Sequence, residues 1–128
     1  MQIINTAQAP APVGPYNQAI AANGFLFTAG QIALDPQTMT IVVEGNVEAQ
    51  AKQVLANLGA VLQAAGCGWE NVVKTTVFLQ NMNDFAAVNA IYAQYFDEAI
   101  APARSCVEVA RLPKNVLVEI DCVAVLPS

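Results

Sequence analysis

With 128 residues, a formal charge of -5, 55% hydrophobic and only 12% charged residues, the chain has enough length for one core and too little for two. Its five basic residues, Lys52, Lys74, Arg104, Arg111 and Lys114, are scattered and form no row that could neutralise phosphates, which argues against nucleic-acid binding. Histidine is absent, which excludes Ser-His-Asp and Cys-His catalysis and most zinc chemistry, so any reaction must rest on carboxylates, thiols, hydroxyls, arginine or backbone groups.

A globular domain ordinarily carries about twice this proportion of charge, so some apolar surface is expected to be covered. No run approaches the ~20 apolar residues of a membrane span, and subunit association is the better cover. Cysteines at 67, 106 and 122 make an odd set without C-x-x-C spacing, which suits free thiols in a reducing compartment. Met1 to Asn5 lack the basic and apolar regions of a signal peptide, so a cytoplasmic location is expected.

Residues 5–17 hold three prolines and a glycine, and predict an extended surface segment. Residues 18–22 and 25–29 read as two short strands around Asn23-Gly24, a favoured hairpin dipeptide. A loop with Asp35-Pro36 follows. Residues 46–65 give the clearest helix, because Val47, Ala51, Val54, Leu55, Leu58, Val61, Leu62 and Ala65 recur on one helical face. Asn46 can cap its start and Gly66 can end it.

The β-branched run 72–79 predicts a strand. A second helix is expected over 83–96, with Phe85, Val88, Tyr92, Tyr95 and Phe96 as its buried stripe, and Pro102 bars any continuation. Strands over 105–110 and 116–125 complete the order ββ-α-β-α-ββ. The pattern fits one α/β (α+β) domain spanning 1–128, a two-layer sandwich with a mixed sheet and both helices on one face. Apolar residues on both faces of the last strand suit a sheet packed against other subunits.

The segment Pro102-Ala103-Arg104-Ser105-Cys106-Val107-Glu108-Val109-Ala110-Arg111-Leu112-Pro113 is the most informative. As a strand it places Arg104, Cys106 and Glu108 on one face and Val107 and Val109 on the other. Glu119 and Asp121 share one face of an otherwise apolar last strand, where an ionised carboxylate is costly unless paired. On pattern alone, an Arg104–Glu119 ion pair or a solvent-facing edge is the plainer reading. The blocks Gly14-Pro15-Tyr16, Phe27 to Ile32, Val73 to Leu79, Pro102 to Pro113 and Val118-Glu119-Ile120 resemble, in this order, the RidA/YjgF family of imine deaminases. The likeness runs from about residue 4 to residue 125, and the block from Pro102 to Pro113 followed by Glu119 is its most specific part.

The resemblance implies a chorismate-mutase-like homotrimer with ligand clefts between subunits. It also implies hydrolysis of 2-iminopropanoate and 2-iminobutanoate to 2-oxo acids and ammonia, without cofactor or metal. Arg104 matches the family arginine that grips the substrate carboxylate, as bidentate geometry allows. Glu119 matches the carboxylate that activates water, with Asp121 a structural alternative. Cys106 is expected to line the pocket and offer its backbone N–H. Tyr16, Gly30 and Asn89 are the remaining expected substrate contacts, each with a plainer structural role beside it: loop anchor, turn glycine and core hydrogen bond.

Ala29 stands where many relatives have serine. The segment 97–102 looks short, and Ala101 replaces a common aromatic. Both departures bear on substrate preference. A non-catalytic sensor of small carboxylates is the competing function, for which the arginine would suffice without Glu119.

Overall fold

In the computed structural model, which describes residues 1–128, Asn23 and Gly24 adopt φ of 52° and 82°. These are the left-handed conformations of a type I′ turn, whose twist matches that of a hairpin. The turn joins strand β2 (Ala19–Ala22) to β3 (Phe25–Thr28). Before them lies β1 (Gln2–Ile4), antiparallel to β2 and not expected from the sequence. Three residues are too few to show a period of two.

Helix α1 (Val47–Ala64) has the two ends its sequence demands. The Asn46 side chain accepts a hydrogen bond from the Ala49 N–H at 2.9 Å. At the other end Gly66, with φ of 79°, lets its own N–H reach the Gln63 carbonyl and that of Cys67 reach the Leu62 carbonyl. This Schellman arrangement satisfies carbonyls that the helix leaves open.

Strand β4 (Val72–Leu79) follows, then helix α2 (Phe85–Tyr92), β5 (Ala103–Glu108) and β6 (Val118–Val125). The second helix is shorter than its expected 83–96. Residues 82–84 form a 3₁₀ turn, and after Tyr92 the chain tightens through Gln94 N–H to Ile91 and Tyr95 N–H to Tyr92. There Tyr95 and Phe96 meet the edge of Trp69, with ring centroids 5.4 and 5.0 Å apart. The shortened helix thus ends in a tighter turn that seats both rings against Trp69.

The six strands form one sheet in the order β1-β2-β3-β6-β4-β5. Only β4 and β5 run parallel, with α2 in the crossover between them. Val118, Ile120, Cys122 and Ala124 of β6 are almost fully buried beneath α1, which also packs on α2. One apolar cluster of 24 residues lies between helices and sheet. The fold class is therefore the mixed α+β sandwich expected.

The other sheet face is open. Phe25 and Phe27 on β3, Val107 on β5 and Val125 on β6 are each more than 40% exposed. Residues 5–17 are irregular, but Ala9 and Pro10 are buried, contrary to a purely surface segment. The cause is Gln18, itself 2% exposed. Its amide donates to the carbonyls of Thr6, Ala9 and Pro10, and its Oε1 accepts from the Thr6 N–H.

Candidate functional site

Register decides which side chains share a face. In the parallel pair, Arg104 lies opposite Thr75 and Cys106 opposite Val77; both β4 residues point into the helix-covered core. Glu119 lies opposite Phe78, on the open face. Alternation thus groups Arg104, Cys106 and Glu108 on one face, as expected; that face is the helix side, and Glu119 with Asp121 lie on the opposite side. An Arg104–Glu119 ion pair within one chain is not made. The residues expected to form one site fall into two halves on opposite faces of one sheet.

The first half is built by α2. Residues at spacings of four and three share a helical face, and Phe85, Asn89 and Tyr92 meet Arg104 along it. Arg104 NH1 donates to Asn89 Oδ1 at 2.8 Å. The guanidinium carbon lies 4.8 Å from the Tyr92 ring centroid and 5.4 Å from that of Phe85. Both distances are within cation–π range. Tyr92 is buried, and its hydroxyl shares a 2.8 Å hydrogen bond with Thr75 Oγ1. Asn89 does not sit on the buried stripe, which consists of Val88, Ile91 and Tyr92. It is exposed, and its carbonyl is engaged by Arg104 rather than by the core.

Cys106 packs at the margin of the core. Burial pushes its thiol up, against a smaller downward pull from Arg104, so the thiol is protonated at neutral pH and is not a ready nucleophile. Glu108 takes a separate role and accepts a hydrogen bond from the Met82 N–H at 2.8 Å.

The second half is a cavity of about 360 Å³ lined by Val13, Tyr16, Ala29, Gly30, Ile32, Pro113 and Glu119. The Tyr16 hydroxyl accepts from the Val13 N–H at 3.3 Å, so the ring both anchors its loop and bounds the cavity. The Gln31 N–H donates to the Ile120 carbonyl, and the Ile120 N–H returns a bond to Gln31, which pins this loop beside Glu119. Gly30 gives close approach, but to the protein itself. A Cβ at that position would lie 2.8 Å from Glu119 Cδ and clash with its carboxylate.

Glu119 is half-buried, and burial raises its pKa above the ordinary carboxylate value, reinforced by the negative charge of Asp121. Asp121 is also raised by burial, but the Thr76 hydroxyl and the Lys74 ammonium partly oppose the shift. Glu119 thus lacks the hydroxyl and ammonium support that Asp121 has. No three His, Cys, Asp or Glu side chains converge as a metal-binding cluster.

Sequence reasoning singled out the two charged groups as candidates but missed Phe85 and Tyr92 as partners of Arg104, having assigned both to the core. Their spacing with Asn89 was the available signal. Val13 and Pro113 carried none, because loop residues enter the cavity only through the fold.

The family profile described as Endoribonuclease L-PSP matches residues 6–126. The chain belongs to the RidA/YjgF/RutC family. A RutC family protein of Synechocystis sp. is 90% identical over 128 residues, covering 100% of this chain and 98% of that protein. The human protein named 2-iminobutanoate/2-iminopropanoate deaminase is 48% identical over 124 residues, covering 97% of this chain and 89% of that one. Among solved structures, Escherichia coli TdcF with bound serine superposes with a TM-score of 0.92 at 46% identity, covering 98% of each chain. The E. coli YjgF gene product superposes at 0.91 and 46%, covering 99% of this chain and 100% of that one. This RidA/YjgF/RutC member therefore has the family fold along its length, in a family with relatives named imine deaminases. No helix is long and apolar enough to cross a membrane.

Proposed function

We propose that the protein hydrolyses 2-imino acids such as 2-iminopropanoate and 2-iminobutanoate to 2-oxo acids and ammonia, without cofactor or metal, at sites between subunits of a cytoplasmic homotrimer. One observation carries this reading: Arg104 is held by α2 at the exposed end of the sheet with its hydrogen bond on an amide and not on a carboxylate. A guanidinium so fixed, with donors to spare, is a receptor for a small carboxylate. The Glu119 cavity opens on the other sheet face, so the two halves come together only when one protomer's β5 edge meets another's open face. The exposed Phe25, Phe27, Val107 and Val125 supply apolar area for that contact. Cys106, beside Arg104, offers its backbone N–H to the ligand; Tyr16 and Gly30 shape the other wall, and Asn89 keeps its NH₂ for the substrate.

In the reaction, Arg104 binds the substrate carboxylate and Glu119 holds a water against the electrophilic imine carbon. Glu119 takes a proton as the C–O bond forms, giving a tetrahedral carbinolamine. On a protonated imine it then returns that proton to the amine and accepts the hydroxyl proton as the C–N bond breaks and the carbonyl forms; that proton passes to the departing ammonia, which leaves as ammonium. A sensor would require the arginine but not the acid beside the cavity, and the raised pKa of Glu119 favours the enzyme. RNA cleavage, suggested by the profile's description, is not favoured by a chain with net charge -5 and no histidine.

Mixing inactive variants tests both the residues and their location. Arg104→Ala and Glu119→Gln should each abolish hydrolysis of imines generated by an amino-acid oxidase and trapped with semicarbazide. When the two are refolded together, about a quarter of the sites should regain both groups, because each half has an even chance of being intact. Full activity in either single variant would remove that residue from the mechanism. No recovery on mixing would place the site within one chain.

A further inference from the structure

We propose that Tyr92, anchored by Thr75, is the positioning residue of Arg104 and sets the affinity of the site for its carboxylate ligand. An arginine on an edge strand explores many rotamers, and a ligand that needs one of them loses affinity in selecting it. This chain removes that freedom with three side chains of one helical face. Asn89 fixes one nitrogen of the guanidinium at 2.8 Å, while Phe85 and Tyr92 present their rings to it. The two rings are not equivalent. Phe85 is 39% exposed and free at its tip, whereas Tyr92 is 6% exposed and makes the closer contact, 4.8 Å against 5.4 Å.

The Tyr92 ring is held at both ends. Its hydroxyl is tied to Thr75, which has no exposed surface, and its face meets Phe96 with centroids 4.7 Å apart. Thr75 is also the register partner of Arg104 across the parallel β4–β5 pair. One buried hydroxyl therefore references the ring that holds the guanidinium to the same rung of the sheet from which the arginine departs. Tyr92 touches no reacting atom in this arrangement. It acts through Arg104.

The kinetic part of this inference rests on the proposed imine hydrolysis, whereas its structural part does not. The ground state and the transition state both carry the substrate carboxylate, so loosening the clamp removes uniform binding and raises KM more than it lowers kcat. Tyr92→Leu should raise KM on the order of tenfold and change kcat less than about threefold. Because Tyr92 is buried, the paired variant Thr75→Val with Tyr92→Phe is the second arm. It removes both hydroxyls together, leaves no orphaned polar group and keeps the ring, so its KM should lie between those of the wild type and Tyr92→Leu.

The Arg104 Nε–Hε resonance and the affinity for 2-oxobutanoate are read in parallel, without turnover. In the wild type the resonance should be protected and shifted by the rings; in Tyr92→Leu it should broaden, and 2-oxobutanoate should bind on the order of tenfold more weakly. If both variants keep the wild-type resonance and affinity, Tyr92 is only a core residue and the proposal is overturned. If the resonance and affinity change as expected while the wild type hydrolyses no imine, the positioning role stands and the proposed reaction falls.

Discussion

Replacing Gly30 with alanine isolates the geometry of Glu119. Gly30 does not have the positive φ of Gly24, Gly45 and Gly66, so alanine brings no backbone strain. The new Cβ would lie 3.0 Å from Glu119 Cγ and 2.8 Å from Cδ. Carbon atoms rest about 3.5–4.0 Å apart, so the carboxylate must retreat by roughly 1 Å. It is the far end of a flexible side chain, so the fold should lose no more than about 1 kcal/mol. A water-activating group displaced by about 1 Å loses about 100-fold in rate, or about 2.7 kcal/mol of transition-state stabilisation. The oxidase-coupled, semicarbazide-trapped assay measures the rate, and circular dichroism with thermal melting confirms the fold. Wild-type kcat/KM in a folded Gly30→Ala protein would show that the position of Glu119 beside Gly30 has no part in catalysis.

Three further outcomes are expected. Glu119 accepts a proton only when ionised, so kcat/KM should rise with pH along a limb lying above the ordinary carboxylate range, because burial raises its pKa. Asp121→Asn removes the neighbouring negative charge that adds to this shift, so the limb should move to lower pH; a pH-rate profile in which it stays put would detach Asp121 from Glu119. Gln18→Ala strips the tie from the loop that carries Tyr16 and leaves buried carbonyls unmet, at a cost of about 2–3 kcal/mol or roughly 10 °C in Tm. Calorimetry gives the shift, and unchanged melting would mean that Ala9 and Pro10 are held by packing alone.

The sequence was most legible where several local signals agreed. For α1, periodicity, an asparagine cap and a terminal glycine all point to the same boundaries, and Asn46 and Gly66 make the bonds expected of them. Strand β1 was hidden because three residues carry no period and gain their order from pairing with Ala19–Ala22. The end of α2 was misplaced because Pro102 is the only strong stop signal, while the residues after Tyr92 leave the regular helix where Tyr95 and Phe96 pack on Trp69, a contact not visible in the local pattern. At the site, alternation within β5 and β6 correctly grouped Arg104 with Cys106 and Glu119 with Asp121. It could not show that these groups occupy opposite sheet faces, because that depends on how each strand registers with β4.

Strand β6 is made after the other five strands, yet it lies between β3 and β4 in the finished sheet. Until residues 118–125 emerge from the ribosome, the early hairpin and the β4–α2–β5 unit have no shared neighbour and expose edges that other nascent chains could pair with. Closure waits on pairings between distant parts of the chain, a topology that folds slowly. Glu119 travels on that same strand, so the acid reaches its cavity in the step that joins the two parts of the sheet.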